Sequence, residues 1–133
     1  MATFREPQLI LFSEDLARIT GFYRGLGFAE VFRTPRDGDP IHVDLVLDGY
    51  RVGFSTARSS RDDHGLEPIA AGQRAAVILW TDDTRAAYDE LVARGTPALT
   101  PPHVWLGRLL IAWTADPDGN PIQIVQHLPE TSA

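Results

Sequence analysis

Cysteine is absent from the 133 residues. Disulfides, thiolate zinc sites, iron–sulfur clusters and cysteine nucleophiles are thereby excluded together. Lysine is absent too: all twelve basic residues are arginine, an imbalance that a GC-rich coding sequence accounts for. No apolar run approaches about 18 residues, so no membrane span is expected. The opening stretch MATFREPQLILF carries an acidic residue and no long apolar core. It does not read as a secretory signal, and the cytoplasm is the expected location. A nucleophile elbow, a phosphate loop and a Walker motif are all missing. The net charge of −6 has the wrong sign for a nucleic-acid binder and favours a cationic ligand only weakly.

What is present is an ordinary globular composition, 44% hydrophobic and 23% charged, in a length that suits one domain and one core. The chain also repeats itself. Asp15-Leu16 opens an amphipathic stretch that closes at Leu26-Gly27, and Asp82-Asp83 opens another that closes at Arg94-Gly95. From Asp15 to Gly27 and from Asp83 to Gly95 is twelve residues each, and the two copies are offset by 68. Upstream, the apolar runs Leu9–Ser13 and Val77–Thr81 read as buried strands. Ser13 or Asp15, and Asp82 or Asp83, supply the N-caps. Leu16, Ile19, Phe22, Tyr23 and Leu26 recur at helical spacing in the first copy, and Ala87, Tyr88, Leu91 and Val92 in the second. Gly27 and Gly95 stand where a left-handed residue closes a helix.

Strand signals follow each helix. The first half gives Phe28–Arg33, Ile41–Leu47 and Arg51–Ser55, with Asp48-Gly49 as the turn. The second gives Ala98–Thr100, Leu109–Thr114 and Pro121–Gln126, with Asp116-Pro117-Asp118-Gly119-Asn120 as the turn. Module one is about 7–56, a linker rich in small and charged residues (Ala57–Gly72) fills about 57–73, and module two is about 74–127. The tail after His127 is expected to fray.

Asp15-Leu16, Phe22-Tyr23, Leu26-Gly27-Phe28, then Trp80-Thr81-Asp82-Asp83, Gly95, and Asp116-Pro117-Asp118-Gly119-Asn120-Pro121-Ile122-Gln123 resemble the vicinal oxygen chelate superfamily, over about residues 7 to 127. That group holds glyoxalase I, extradiol dioxygenases, fosfomycin-resistance enzymes and bleomycin-resistance-type binding proteins. The resemblance implies an α+β fold of two tandem βαβββ modules whose sheets curl into a half-barrel cup with the helices outside. It also implies a homodimer, with the binding groove in many members completed by the second subunit.

Metal-using members carry ligands on the first and last strands of each module. Counting from Asp15 and Asp83 puts the first-strand positions at Gln8 and Ala76. The last-strand positions fall at Gln123 and, aligned on Gly49 and Gly119, at Gly53; a slip of two gives Ser55. Gln, Gly, Ala and Gln bring no anionic or imidazole donor, so no metal and no other cofactor is expected. His42 and Asp44 share one strand face, as a two-point site or simply a hydrogen-bonded strand pair.

The residues in phase with Gln8 and Ala76 are Ile10, Phe12, Ile78 and Trp80, joined by Gln123 and Val125. Such an apolar, aromatic surface with two amides suits a flat hydrophobic ligand. Phe32, Trp105 (in a Pro-bounded segment read as a rim loop) and Trp113 (facing open) are further candidate walls. His42, Asp44 and His103 are candidate polar contacts. Joined to this surface, the resemblance to the superfamily's metal-free, drug-sequestering members implies a binding protein, metal-independent and without catalytic residues, that sequesters an aromatic, antibiotic-like natural product. Two alternatives stand beside it. One is a metal-independent isomerase, lyase or cyclase acting on a polyketide-like substrate with His42–Asp44 or His103 as base. The other is a metal-dependent glyoxalase- or dioxygenase-like enzyme.

Overall fold

A computed structural model describes residue 3 and residues 5–69 and 75–129. Two compact units, Met1–Ala71 and Gly72–Ala133, are built on one plan. In the first, strand β1 (Leu9–Ser13) leads into helix α1 (Leu16–Gly25), then β2 (Ala29–Thr34), β3 (His42–Leu47), β4 (Tyr50–Thr56) and a short helix α2 (Ala57–His64). In the second, β5 (Val77–Trp80) leads into α3 (Thr84–Ala93), then β6 (Thr100–Trp105), β7 (Leu109–Ala115) and β8 (Pro121–His127). The sheets run β1-β4-β3-β2 and β5-β8-β7-β6. In each, the first strand pairs parallel with the last and the other pairings are antiparallel. This is an α+β fold made of two βαβββ modules, as the repeat predicts.

The helices begin where their caps sit. Asp15 accepts from the Arg18 backbone N–H at 3.0 Å, and Asp83 accepts from that of Ala86 at 3.0 Å. Of the alternatives, Asp15 and Asp83 are therefore the caps. Both helices turn out of the helical region at a glycine with positive φ, Gly27 (109°) and Gly95 (103°). The inner face of α1 (Leu16, Ile19, Tyr23) packs with Phe28 on Leu11, Val43, Leu45, Val52 and Phe54, all buried. Tyr23 sits edge-on to Phe28 and tilted against Phe54. In the second unit Tyr88 and Leu91 cover Leu110, Ala112, Ile122 and Ile124. There Thr84 fastens the start of α3 to the sheet: its N–H reaches Gln126 Oε1 (2.6 Å) and its hydroxyl donates to the Leu110 carbonyl (3.0 Å).

Three sequence expectations need correction. The stretch read as a linker begins with α2. Its caps were visible in Thr56, which accepts from the Ser59 N–H, and in left-handed Gly65, but only Ala57 and Ser60 are buried, so no apolar stripe announced it. The segment read as a rim loop around Pro101-Pro102 is strand β6, not the short strand Ala98–Thr100. Proline is tolerated there because β6 is an edge strand with an irregularity between Thr100 and His103, where a missing N–H removes no ladder bond. The following turn, Leu106-Gly107, has positive φ at both residues (55° and 65°), the geometry that Asp48-Gly49 adopts in the first unit; leucine there gives no turn signal. Thirdly, β1 and β5, read as buried strands, are edge strands of their sheets, and Leu9, Ile10, Ile78 and Trp80 on them are exposed. Of the tail expected to fray, residues 130–133 lie outside the described residues, as do 70–73 at the end of the linker.

Candidate functional site

Each sheet has one face against its helix and one face turned away, and strand register says which side chains share the latter. In the first unit the rows run Ile10–Gly53–Asp44–Phe32 and Phe12–Ser55–His42–Thr34. Four polar side chains in these and the adjoining row form a continuous hydrogen-bonded chain. Ser55 Oγ lies 2.5 Å from His42 Nδ1, and His42 Nε2 lies 2.7 Å from Asp44 Oδ1. Asp44 Oδ2 accepts from Arg51 Nε (2.9 Å) and Nη2 (2.6 Å). The Asp44 side chain is only 6% exposed, His42 is 21% and Arg51 44%. The chain thus runs from a buried hydroxyl to a half-exposed guanidinium. Phe32 stands edge-on to the His42 ring, centroids 6.1 Å apart.

Gly53 makes room for this chain. A Cβ on Gly53 falls 2.8 Å from Asp44 Oδ1 and 3.0 Å from His42 Cε1. That bears directly on the metal question. Gly53 pairs with Ile10 as Gln123 pairs with Ile78, so the two hold equivalent places and the alternative at Ser55 falls away. Gln8 and Ala76 are exposed and lie one residue before β1 and β5. At these four positions stand two amides and two residues without a donor, and the space beside Gly53 is taken by Asp44 and His42, which face each other. This donor set does not fit a divalent ion. Among the described residues no cluster of three His, Asp or Glu side chains suits a metal.

In the second unit the corresponding rows run Ile78–Gln123–Trp113–Thr100, Trp80–Val125–Ile111–His103 and His127–Leu109–Trp105. Trp80, His103, Trp105, Trp113 and Gln123 therefore share one face, which fixes the facing of Trp113. Trp80 and Trp105 are more than half exposed, and Ile78 is 55% exposed. The Trp80 indole stacks on the His127 ring, centroids 4.5 Å apart and planes 20° from parallel. Beside them is an open depression of about 620 Å³ lined by Trp80, Thr81, Asp82, Gln126 and His127. His103 lies on β6 rather than in a loop, exposed, its Nδ1 3.0 Å from the Pro101 carbonyl oxygen.

The structure thus brings Phe12, Phe32, His42 and Asp44 together on one sheet and the other five candidates together on the second, with Gln8 just ahead of β1. Sequence reasoning missed Arg51 and His127, and weighed Ser55 only as a shifted metal position. The signal for the first unit was available. A two-residue turn at Asp48-Gly49 pairs residue 47 with 50, hence 44 with 53 and 42 with 55. Elsewhere the charge pattern is ordinary. Glu30, bridged by Arg33 and Arg24, is held below the usual carboxylate range, first by the hydrogen bond from Arg33, and Arg33 is raised in return.

The twice-built module places the chain among known proteins. A family model described as the Glyoxalase/Bleomycin resistance protein/Dioxygenase superfamily matches residues 6–124. The chain belongs to this superfamily. Solved structures agree on the fold. A glyoxalase/bleomycin resistance protein/dioxygenase from Nocardioides superposes with a TM-score of 0.77 at 21% identity, over 100% of this chain and 92% of that one. TioX from Micromonospora sp. ML1 gives 0.73 at 21%, over 94% and 100%. A superfamily member from Sphaerobacter thermophilus gives 0.72 at 24%, over 93% and 98%. No curated protein matches the sequence. In this superfamily the fold is shared, and the site must be argued from its own residues.

Proposed function

We propose that this superfamily member is a metal-independent binding protein that sequesters an aromatic or hydrophobic, antibiotic-like small molecule. The observation that carries the proposal is the second sheet's outward face. Trp80, Trp105 and Ile78 stand more than half exposed there, with Trp113 and the Gln123 amide in the adjoining row. Exposed indoles on one rigid sheet offer stacking area and lose little side-chain entropy on binding. The Trp80–His127 stack already has the spacing a flat ring would extend, and Asp82 at its rim suits a ligand with a cationic group. Affinity then comes from stacking and apolar burial and needs neither metal nor other cofactor. The proposal includes a homodimer in the cytoplasm and a role in drug resistance or self-protection.

The test is a tryptophan-fluorescence titration of metal-stripped protein against a panel of aromatic antibiotics, with each bound compound recovered and its mass measured. Expected are saturable quenching, an unchanged compound, and at least about tenfold weaker binding in Trp80→Ala, equivalent to about 1.4 kcal/mol. Quenching that never saturates, or affinity untouched by Trp80→Ala, overturns the proposal. A second reading, a metal-independent enzyme of the same fold, is favoured by one observation: the His42–Asp44 hydrogen bond on the first sheet, the arrangement of an oriented general base.

A further inference from the structure

The first unit's polar chain is not required by the fold. Register matches Ser55, His42, Asp44 and Arg51 to Val125, Ile111, Trp113 and Pro121 in the second unit. The same backbone positions are thus filled there by apolar side chains. Buried hydrogen-bonded charges are seldom better for stability than apolar residues of similar volume. A buried carboxylate held in a four-membered hydrogen-bonded chain, with a glycine beside it for clearance, calls for a chemical reason.

We propose that Ser55 and His42 form an acyl-accepting site, with Ser55 the nucleophile, that reacts with esters carrying an aromatic or hydrophobic acyl group. The proton positions follow from the partners. The Asp44 carboxylate only accepts, so His42 Nε2 carries the hydrogen between them, and in the neutral ring Nδ1 is left to accept from the Ser55 hydroxyl. Asp44 thereby holds one tautomer and one ring orientation, and Arg51 holds Asp44 with two hydrogen bonds. This is the logic of the serine–histidine–aspartate arrangement with the two ring nitrogens exchanged, and such arrangements are recognised by geometry and role rather than by fold.

In the reaction, Ser55 Oγ forms a bond to the ester carbonyl carbon while its proton passes to His42 Nδ1. The resulting imidazolium is stabilised by Asp44 across Nε2. The ester C–O bond then breaks, and the leaving alcohol takes the proton from Nδ1. Water attacks the acyl-Ser55 with Nδ1 again as base, releasing a carboxylic acid and restoring the hydroxyl. Ester and water give acid and alcohol, with no oxidant, metal or cofactor. The selectivity for an apolar acyl group rests on the neighbours in the same rows: Phe12 opposite Ser55, Ile10 opposite Gly53, and Phe32 opposite Asp44.

The proposal concerns the other sheet from the aromatic binding face, and its probes contain no antibiotic, so the two readings fail separately. Native protein is treated with a fluorophosphonate, followed by intact mass and peptide mapping, and is assayed with p-nitrophenyl butyrate. A single adduct on Ser55 is expected, absent in Ser55→Ala, with labelling and ester hydrolysis at least about tenfold slower in His42→Gln, within the range for loss of a general base. A folded wild-type protein that gains no adduct, or gains one only at another residue, overturns the proposal without reference to any variant. Equal labelling of wild type and a folded His42→Gln overturns the role of His42.

Discussion

Gly53→Ala tests whether the polar chain is as tightly built as its distances say. The new methyl would stand 2.8 Å from Asp44 Oδ1, 3.0 Å from His42 Cε1 and 3.2 Å from His42 Nε2, contacts that force a shift. Asp44 cannot yield freely, since His42 holds one of its oxygens and Arg51 the other. Overpacking a fitted site costs about 1–3 kcal/mol. Against this, replacing glycine by alanine in ordinary extended backbone gains about 0.4–1 kcal/mol from the unfolded chain. The net expectation is a loss of about 1–2 kcal/mol, read by urea unfolding followed with far-UV circular dichroism. In an Asp44→Ala background the nearest clashing atom is gone and His42 is released from it. There the same change should cost less than about 0.5 kcal/mol or stabilise slightly, leaving a coupling of about 1–2 kcal/mol between the two sites. Equal cost in both backgrounds would refute the assignment of Gly53 as the clearance for Asp44 and His42.

Three further outcomes follow from burial and pairing. Arg51→Ala leaves a 6%-exposed carboxylate short of two hydrogen bonds. Breaking a buried pair costs about 3–5 kcal/mol; screening at the half-exposed guanidinium brings the expected loss to about 1–2 kcal/mol. Arg94→Ala, across an exposed pair with Glu90, should cost less than about 0.5 kcal/mol, and similar losses for the two in urea melts would sink the distinction. Tyr23→Ala removes a ring packed between Phe28 and Phe54 and should cost about 3–5 kcal/mol, whereas Trp80→Ala, already 58% exposed, should leave the melting temperature nearly unchanged. Glu30 gives the pH dependence. Its carboxyl is held below its ordinary value of 4.5, chiefly by Arg33 and also by Arg24, so its contribution is complete above that value and is lost as pH falls through the lower, folded one. The stability difference between wild type and Glu30→Gln should therefore shrink as pH drops below about 4.5; a difference that stays flat from neutral pH to acid contradicts the pairing.

How much was legible in the sequence depended on whether a signal was local. The caps at Asp15 and Asp83, the helix faces and the strands β1, β2, β3, β4, β5, β7 and β8 were legible because each is set by residues within a few positions. Strand β6 was hidden because its prolines argue against a strand until its edge position is known. Helix α2 was hidden because it buries almost nothing. Among the site residues, the alternation that put Trp80 in phase with Ala76 and Ile78 was readable along a single strand. The contact of Trp80 with His127 was not, since it depends on two strands brought together across 47 residues of sequence. The Ser55–His42–Asp44–Arg51 chain lies between these cases. It spans only one hairpin, and the Asp48-Gly49 turn determines its register, but its chemistry appears only when β3 and β4 are laid side by side.

The duplication separates what the fold requires from what it leaves open. On the faces turned to the helices, equivalent places are filled alike: Leu9 and Leu11 answer to Val77 and Leu79, and Val52 and Phe54 to Ile122 and Ile124. The caps Asp15 and Asp83 and the closing glycines Gly27 and Gly95 match as well. Where a core place turns polar, as Thr114 does against Leu45, its hydroxyl is bonded, here to the Pro97 carbonyl at 2.6 Å, as a buried polar group must be. On the outward faces the two halves part. Phe12 and Trp80 remain aromatic, but by register Gly53 answers to Gln123, Asp44 to Trp113, His42 to Ile111 and Ser55 to Val125. Packing against a helix cannot explain these differences, because none of these side chains packs there. One half has placed charge and hydrogen bonding where the other has placed indole and aliphatic surface, which is the division expected if one sheet reacts and the other binds.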